Sequence, residues 1–142
     1  MLTGTFLLYL FIMLSTTFLA TKTQRHKRDG RIAFKFNYFF LAFLIHWFFI
    51  AFTRTGVDHD SYIAIIEYDA FRRIAIGEEV GFNGLCIILQ RLCNNAEVVI
   101  LILKTVTLLL FYYSFYLIRE KANIGFVVAA YNAWMYLFSF SI

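Results

Sequence analysis

Four long apolar runs constrain the fold of this chain more than any other feature of its sequence. They cover residues 2–20, 34–52, 98–118 and 124–142. Between them they contain only two charged side chains, Lys35 and Lys104. The hydrocarbon core of a bilayer is about 30 Å thick, and a helix of roughly 20 apolar residues crosses it. With 61% hydrophobic residues and no proline to interrupt a helix, the sequence predicts a single all-α domain over residues 1–142, a polytopic membrane protein with about four transmembrane helices.

The loop between the first two runs, residues 21–33, is strongly basic. Together with the start of the second run it carries six basic side chains and one acidic side chain. The basic side chains are Lys22, Arg25, Lys27, Arg28, Arg31 and Lys35. Basic loops stay in the cytoplasm when a membrane protein is inserted, so we expect the N-terminus to lie outside. A cleaved signal peptide would carry its positive charge before the apolar run rather than after it. Topology also explains this cluster without nucleic acid as a partner.

The loop of residues 53–97 is then extracytoplasmic, and its first part is acidic. Six of the nine acidic residues of the chain lie between Asp58 and Glu79. We expect two short juxtamembrane helices here, the first beginning after Asp60 as its N-cap and extending to about Ile74. Its apolar face at helical spacing consists of Ile63, Ile66, Ala70 and Ile74. Acidic groups are favourable at any helix N-terminus, so capping alone would explain the carboxylates at the two helix starts.

The second juxtamembrane segment, Phe82 to Leu92, leaves two topologies open. At about 1.5 Å per residue, a helix of this length covers roughly half of the hydrocarbon core. Its polar residues Asn83 and Gln90, with Asn94 after it, fall near one face, which is typical of an interfacial helix. We therefore expect it to lie at the outer surface. A fifth crossing here is the alternative, and it would place the basic residues after the third run outside, against the positive-inside rule.

Two short motifs in this loop carry a resemblance to a known family. The first comprises Arg54, Gly56, Asp58 and Tyr62, and the second comprises Glu79, Gly81, Phe82 and Leu85. Their order after two helices joined by a basic loop resembles the EpsG family, which consists of Wzy-like integral membrane proteins of exopolysaccharide and capsule assembly. The chain departs from the family pattern at Val57, where Thr is usual, and at Val80, where Pro is usual.

The resemblance implies a glycosyltransferase or polysaccharide polymerase of the bacterial cytoplasmic (inner) membrane, joining sugars carried on polyprenyl pyrophosphate. In such a reaction the acceptor hydroxyl needs a general base, and the departing pyrophosphate needs positive charge or hydrogen-bond donors. On this resemblance Asp58 is the expected base. Arg54 would bind phosphate through its two-pronged guanidinium group. Tyr62 would stack on a sugar ring or orient the carboxylate.

The same resemblance assigns substrate binding to His59, Glu79 and Phe82, with the last two forming the other wall of the site. The expected partners are the lipid bilayer, a polyprenyl-pyrophosphate-linked oligosaccharide and other polysaccharide-assembly proteins, and no nucleic acid. No nucleotide cofactor is implied, because the chain has no glycine-rich phosphate loop. No spacing of Cys and His residues suggests a metal site.

Members of the EpsG family resemble one another over some ten or more spans, whereas this sequence ends at Ile142 inside an apolar run. We therefore expect an N-terminal part of a longer protein or the product of a disrupted gene, with a small complete protein as the alternative. Alone, the chain is expected to lack polymerase activity. Two other functions stay open: a non-catalytic partner subunit and a transporter fragment. The second is disfavoured because the spans offer only His46, Lys104 and Asn132 as polar candidates.

Two of these polar residues have a plainer interpretation. We expect His46 to make a polar contact inside the helix bundle and Asn132 to hydrogen-bond a neighbouring helix. The two cysteines, Cys86 and Cys93, are seven residues apart on one expected helix. That spacing puts their Cα atoms about 10.5 Å apart, beyond the roughly 7 Å limit for a disulfide, so both should be packing residues.

Overall fold

The computed structural model describes residues 2–26, 32–52, 59–77 and 79–140 of the chain. Most of them are helical, as the all-α prediction requires. The helices are α1 (Leu2–Thr23), α2 (Phe36–Phe52), α3 (His59–Ala64), a π-helical segment (Ile65–Asp69), α4 (Ala70–Ala75), α5 (Val80–Cys93), α6 (Ala96–Leu117) and α7 (Ile124–Phe140). Helices α1, α2, α6 and α7 fall on the four predicted spans, with ends that differ by at most three residues.

One helix in the described part of the chain, α6, is both long enough and apolar enough to cross a membrane by these two criteria. The other apolar helices are shorter over the residues that could be assessed. They are Leu7–Thr23, Phe36–Ala51, Val80–Cys93 and Ile124–Met135. The helical content of the prediction is thus confirmed, and the number of membrane crossings is not fixed by helix length and composition.

The segment from α3 to α4 is one continuous helical stretch, residues 59–75. Because it begins at His59, Asp60 lies inside its first turn, and the prediction that Asp60 is the N-cap is wrong. The predicted apolar face is confirmed, since Ile66 is buried and Ile63 is half-buried. The stretch ends at Gly77, whose φ of 80° favours glycine. The Gly77 N–H donates to the carbonyl of Ile74 at 3.0 Å.

The junction between α5 and α6 is closed by two asparagines. Asn94 ends α5 in the left-handed conformation, with φ 48°, and its N–H donates to the carbonyl of Gln90. Asn95 then begins α6, because its Oδ1 accepts from the backbone N–H groups of Glu97 (2.9 Å) and Val98 (3.3 Å). An asparagine satisfies both requirements, since it tolerates positive φ and caps helices well.

The basic loop contains a small antiparallel ribbon that the sequence analysis did not predict. Strand β1 (Gln24–His26) pairs with strand β2 (Ile32–Phe34), with Arg25 opposite Ala33. The backbone N–H of Lys35 also donates to the carbonyl of Thr23 at 2.7 Å. The ribbon therefore joins the end of α1 directly to the start of α2.

Contacts divide the chain into two compact units. The bundle unit consists of residues 1–52 and 108–142, and the middle unit consists of residues 53–107. In the bundle unit the buried core comprises Ala20, Phe39, Ala42, Leu108, Tyr112, Phe115, Ile124, Val128 and Tyr131. In the middle unit the core comprises Ile66, Cys86, Ala96, Val99 and Ile100.

Within the bundle unit, α1 runs antiparallel to both α2 and α7. Tyr9 near the start of α1 meets Phe49 near the end of α2, with ring centroids 4.8 Å apart. Thr21 near the end of α1 lies against Gly125 near the start of α7. A Cβ atom on Gly125 would lie 3.0 Å from the Cα atom of Thr21, so glycine is what allows these two helices to approach so closely.

Gln24 connects this end of α1 to the turn between α6 and α7. Its side-chain amide donates to the carbonyl of Arg119 and to that of Ala122, the latter at 2.8 Å. Its Oε1 atom accepts from the N–H of Ile124 at 2.8 Å. One side chain thus binds backbone groups at the end of α6 and at the start of α7. The C-terminal ends of α1 and α6 therefore lie at the same end of the bundle unit.

Candidate functional site

The candidate site lies in the middle unit, and its described part begins with Tyr62. Helix α3 presents this side chain with 43% of its surface exposed. The ring meets that of Phe82 from α5 edge-on, with centroids 5.9 Å apart and an interplanar angle of 69°. Phe82 in turn packs against the core residues of the middle unit, which include Ile66. The two aromatic residues predicted to line one site are therefore in contact, on a packed base.

Glu79 directly precedes α5 and is exposed. Its backbone has φ 41° and ψ 45°, in the left-handed region that residues with a side chain rarely adopt. Such a conformation costs about 1 kcal/mol or more. The Glu79 side chain makes no capping hydrogen bond to α5. The carboxylate is therefore not a hydrogen-bonded cap of α5, although the backbone carbonyl of Glu79 accepts the first helical bond, from the N–H of Asn83 at 2.9 Å.

Three of the predicted site residues fall outside this geometry. Arg54 and Asp58, the expected phosphate ligand and general base, lie outside the described residues. His59 begins α3, but its side chain is also outside the description. Of the six site residues predicted from the sequence, the structure thus places the side chains of Tyr62, Glu79 and Phe82, and it brings Tyr62 and Phe82 together.

The base of this site is an apolar core without a disulfide. Cys86 is fully buried in that core, and Cys93 is half-buried. Both are free thiols, as the spacing argument predicts. Burial raises the pKa of the Cys86 thiol above its ordinary value, which keeps it protonated and suits a packing role.

The bundle unit contains a second polar cluster, centred on buried His46 of α2. The imidazole Nδ1 lies 2.6 Å from the hydroxyl of Tyr112 in α6, and Nε2 lies 2.7 Å from Oδ1 of Asn132 in α7. With the amide in this orientation, Oδ1 can only accept, so Nε2 of His46 carries a hydrogen. In a neutral ring Nδ1 is then the acceptor, and the Tyr112 hydroxyl donates to it.

The cluster extends from Asn132 to α1. The Nδ2 group of Asn132 donates to the hydroxyl of Thr16 at 3.0 Å and to that of Thr17 at 3.2 Å. Thr16 in turn donates to the carbonyl of Ile12 at 2.7 Å. Four helices of the bundle unit are thus connected through one histidine and one asparagine. We define His46, Tyr112, Asn132, Thr16 and Thr17 as the buried polar network.

The predictions for the buried polar network are partly confirmed. His46 does make a bundle-facing polar contact, and Asn132 does bond to neighbouring helices. The roles of Tyr112 and Thr16 were missed, because a tyrosine or threonine in an apolar run carries no sign of its partner. The available signal was that four helices carry polar side chains at mid-span depth. Hydrogen-bonding groups at that depth need partners.

Comparison with known proteins supplies the family. The model of the EpsG family matches residues 36–142, which is more than half of the chain. The match includes both loop motifs as well as α2, α5, α6 and α7. No curated protein and no solved structure shows significant similarity to the chain. By the extent of the family match, the chain belongs to the EpsG family of membrane proteins.

Proposed function

We propose that this chain belongs to a Wzy-like membrane enzyme of surface-polysaccharide synthesis that acts on polyprenyl-pyrophosphate-linked sugars. The observation that carries the proposal is the contact between Tyr62 and Phe82. These residues belong to the two family motifs, which are separated along the chain by about twenty residues yet meet in the middle unit. The two motifs meet on the core of the middle unit, beside exposed polar residues. This arrangement fits a substrate site better than it fits two unrelated helix starts.

In this proposal the roles follow the chemistry of each side chain. Asp58 removes the proton of the acceptor hydroxyl as a general base. Arg54 holds the pyrophosphate, whose charge it matches with two parallel N–H donors. Tyr62 and Phe82 form an aromatic wall against the sugar, and Glu79 offers an exposed carboxylate at its edge. His59 binds substrate beside Asp58.

The proposal also includes a topology of four spans with the basic loop in the cytoplasm. The Gln24 contacts support this count, because they place the C-terminal ends of α1 and α6 at one end of the bundle unit. In the proposed topology α2 leaves that end and α6 returns to it, so residues 53–95 begin and end on the same side of the membrane. The proposal therefore includes no crossing by α5.

The orientation across the membrane is supported by charge. Lys22, Lys35 and Arg119 all lie at the ribbon end of the bundle unit, each over an aromatic ring, at 5.2, 5.5 and 3.9 Å from the ring centroids. Paired basic and aromatic residues mark a membrane interface, and basic ones favour the cytoplasmic side. Residues 53–95 and the candidate site then face the exterior.

Cysteine labelling tests this topology. With Cys86 and Cys93 replaced, a cysteine at Ser61 should react with an impermeant thiol reagent in intact cells, and one at Gly30 should react only after the cells are opened. Ser61 is exposed in the structure, so protection by the protein itself would not explain a failure to react. Labelling of Gly30 alone in intact cells would reverse the orientation and remove the external site.

The chemical proposal is tested by Asp58→Asn in the full-length protein that carries this loop. Asn keeps the size and most hydrogen bonds of Asp but cannot act as a base at neutral pH. Loss of a general base typically lowers a rate by about two to four powers of ten. Polymer should disappear while the protein stays inserted at normal abundance. Arg54→Lys keeps the positive charge but loses the two parallel N–H donors of the guanidinium group. It should impair synthesis less than Arg54→Ala does. Normal polymer from Asp58→Asn would refute the catalytic assignment.

A further inference from the structure

Helix α5 buries a polar side chain and exposes apolar ones. Its buried residues are Asn83 and Cys86, both 0% exposed. On its outer side Leu85, Ile88 and Leu92 have 45%, 58% and 76% of their surfaces exposed. A helix at the surface of a soluble protein shows the opposite pattern, with polar residues facing water. The exposed side of α5 is therefore suited to apolar surroundings.

The exposed apolar side chains of α5 form one stripe along the helix. Leu85, Ile88 and Leu92 follow one another at intervals of three and four residues, which places them on one face. We define these three residues as the α5 stripe. Gly81, one turn before Leu85, is also exposed, and a Cβ atom there would meet nothing within 4 Å. Exposed apolar patches of this kind mark contacts with a membrane or with another protein.

The helical stretch 59–75 gives the middle unit a polar side as well. Ile66 of this stretch and Cys86 of α5 belong to the same core, so the two segments turn their buried faces towards each other. Their exposed faces therefore point away from each other. On the stretch 59–75 the exposed side chains include the acidic residues Asp60 and Glu67. The polar side of the middle unit suits water, and the side with the α5 stripe does not.

The connection to α6 favours a membrane over another protein. Helix α6 begins at Ala96, after Asn94 and Asn95, and it meets both criteria for crossing a membrane. From Cys93 to Ala96 the chain reaches at most about 11 Å, so α5 ends close to the point at which α6 enters the bilayer. The Leu92 end of the α5 stripe is therefore next to the bilayer.

Apolar side chains are exposed at the other end of α5 too. Val80, the first residue of α5, is 52% exposed, and Ile76 shortly before it is 64% exposed. Apolar exposure thus extends over the whole length of α5 and is not confined to its junction with α6. This distribution fits a helix that lies in the plane of the membrane surface.

We propose that the α5 stripe lies among the acyl chains of the outer leaflet, with α5 in the plane of the membrane surface. The apolar face of such a helix lies about 5–10 Å into the boundary between headgroups and acyl chains. The inference rests on the proposed function in one respect, because the choice of leaflet follows from the proposed topology.

This position gives the candidate site a depth in the membrane. Phe82 lies on α5 itself, so its contact with Tyr62 is held at the level of the lipid headgroups. The pyrophosphate of a lipid-linked sugar lies at the same level, since its apolar chain dissolves among acyl chains and its charges do not. The substrate then reaches the site by moving along the membrane rather than from solution.

Spin labels on single cysteines test the position of α5 in the 142-residue chain reconstituted in phospholipid vesicles. Cys86 and Cys93 are first replaced by alanine. A label on Ile88→Cys should be more accessible to oxygen, which dissolves in acyl chains, than to a water-soluble nickel chelate. The matched control is Glu67→Cys, at an exposed position on the polar side, where the order of the two accessibilities should reverse.

The same labels distinguish a helix in the membrane plane from one that enters the bilayer end-on. Leu85 and Leu92 are seven residues apart, a rise of roughly 10.5 Å. Labels on Leu85→Cys and Leu92→Cys should report nearly the same depth. A difference of roughly 10 Å between them would show that α5 enters the bilayer end-on and would refute the proposed position.

A fluorescence measurement keeps the buried Cys86 in place. In a chain whose native Trp47 and Trp134 are replaced by phenylalanine, the residue introduced by Ile88→Trp should be quenched by lipids brominated on their acyl chains. The quenching should be about twofold or more stronger than for Glu67→Trp, which lies on the polar side. Equal quenching at both positions would contradict the proposal.

Other adverse results have separate meanings. Equal access of the nickel chelate to the labels at Ile88 and Glu67 would place the α5 stripe in water. Protection of the Ile88 label from both oxygen and the chelate would assign the stripe to a protein contact. Either result would overturn this inference while polymer synthesis still depends on Asp58. A fully active Asp58→Asn enzyme, with the Ile88 label among acyl chains, would instead refute only the proposed function.

Discussion

Two pairs of polar residues, one in the bundle unit and one in the middle unit, differ in their exposure. In the bundle unit, His46 and Asn132 are buried and hydrogen-bonded to neighbouring helices. In the middle unit, Glu67 and Glu79 are exposed, and Glu79 makes no capping bond. The backbone differs too, since the middle unit contains both the π turn and the left-handed Glu79. The comparison thus sets a polar pair that connects packed helices against an exposed pair of carboxylates, of which Glu79 belongs to the proposed site.

The sharpest test of this contrast uses one substitution, Gly→Ala, in both units. In the bundle unit, Gly125→Ala forces the new methyl group against Thr21, whose backbone it would approach to 3.0 Å. Overpacking of this kind costs about 1–3 kcal/mol. In the middle unit, Gly84→Ala meets nothing within 4 Å, and replacing glycine inside a helix stabilises by roughly 0.5–1 kcal/mol. Thermal unfolding in detergent should therefore shift downwards for the first variant and upwards for the second. Equal shifts would mean that the two helices of the bundle unit are not closely packed at Gly125.

The buried polar network gives the next largest effect. Asn132→Leu leaves the Nε2 hydrogen of His46 without its acceptor, at a cost of about 1–2 kcal/mol. Replacing both His46 and Asn132 by Leu should cost less stability than the sum of His46→Leu and Asn132→Leu, because the Nε2–Oδ1 hydrogen bond is then lost only once and neither of its two groups is left behind. We expect a coupling free energy of roughly 0.6–1.7 kcal/mol from the double-mutant cycle in detergent unfolding. Strict additivity would show that the 2.7 Å contact contributes nothing to stability.

A cap in the middle unit provides a comparison for the network. Asn95→Ala removes the side-chain acceptor of two backbone N–H groups at the start of α6 and should cost about 1 kcal/mol. Combined with Asn132→Leu, this change should be additive, since the two asparagines belong to different units. Asn95→Ser, which keeps a capping oxygen, is the control and should unfold near the parent temperature. A loss equal to that of Asn95→Ala would point to some other role for the Asn95 side chain.

The smallest expected effect concerns the backbone of Glu79. Glu79→Gly relieves the strain of the left-handed backbone, but glycine loses more conformational entropy on folding than glutamate does. We therefore expect a net stabilisation of only about 0.5 kcal/mol. Activity should nevertheless fall, because the exposed carboxylate is lost. Glu79→Asn is the matched control, since Asn tolerates this conformation and also removes the charge. Full activity in both variants would exclude Glu79 from the site. Its only role would then be to begin helix α5.

The sequence predicted the long helices well and the local irregularities poorly. Apolar runs of about twenty residues locate α1, α2, α6 and α7, because a long run without proline favours one continuous helix. The ribbon formed by β1 and β2 was missed, since three residues per strand are too few for an alternating pattern to be recognised. The π turn was missed for a similar reason: Ile65–Asp69 reads as ordinary helix, and its extra residue is detectable only in the backbone.

The contact between two predicted site residues could be expected from the sequence, but the local geometry around them could not. The motif positions suggested that Tyr62 and Phe82 share a site, and the structure confirms their contact. Spacing alone did not reveal that Glu79 has a left-handed backbone, because a glutamate seldom adopts it. Neither the π turn nor the exposure of Tyr68 follows from the family motifs. Within this turn Ile66 belongs to the middle-unit core, whereas Tyr68 is exposed.

The Gln24 contacts have a consequence for the order of events during synthesis. Gln24 leaves the ribosome 95 residues before Arg119, whose carbonyl accepts from its side chain. At roughly 5–20 residues per second, α1 is complete about 5–20 s before the turn that Gln24 binds. During that interval α7 has not yet been made. The amide of Gln24 and the hydroxyl groups of Thr16 and Thr17 therefore lack their partners from the later part of the chain. Completion of the bundle unit is therefore timed by the emergence of α7, and a translational pause before residue 119 would lengthen the life of a half-built hairpin.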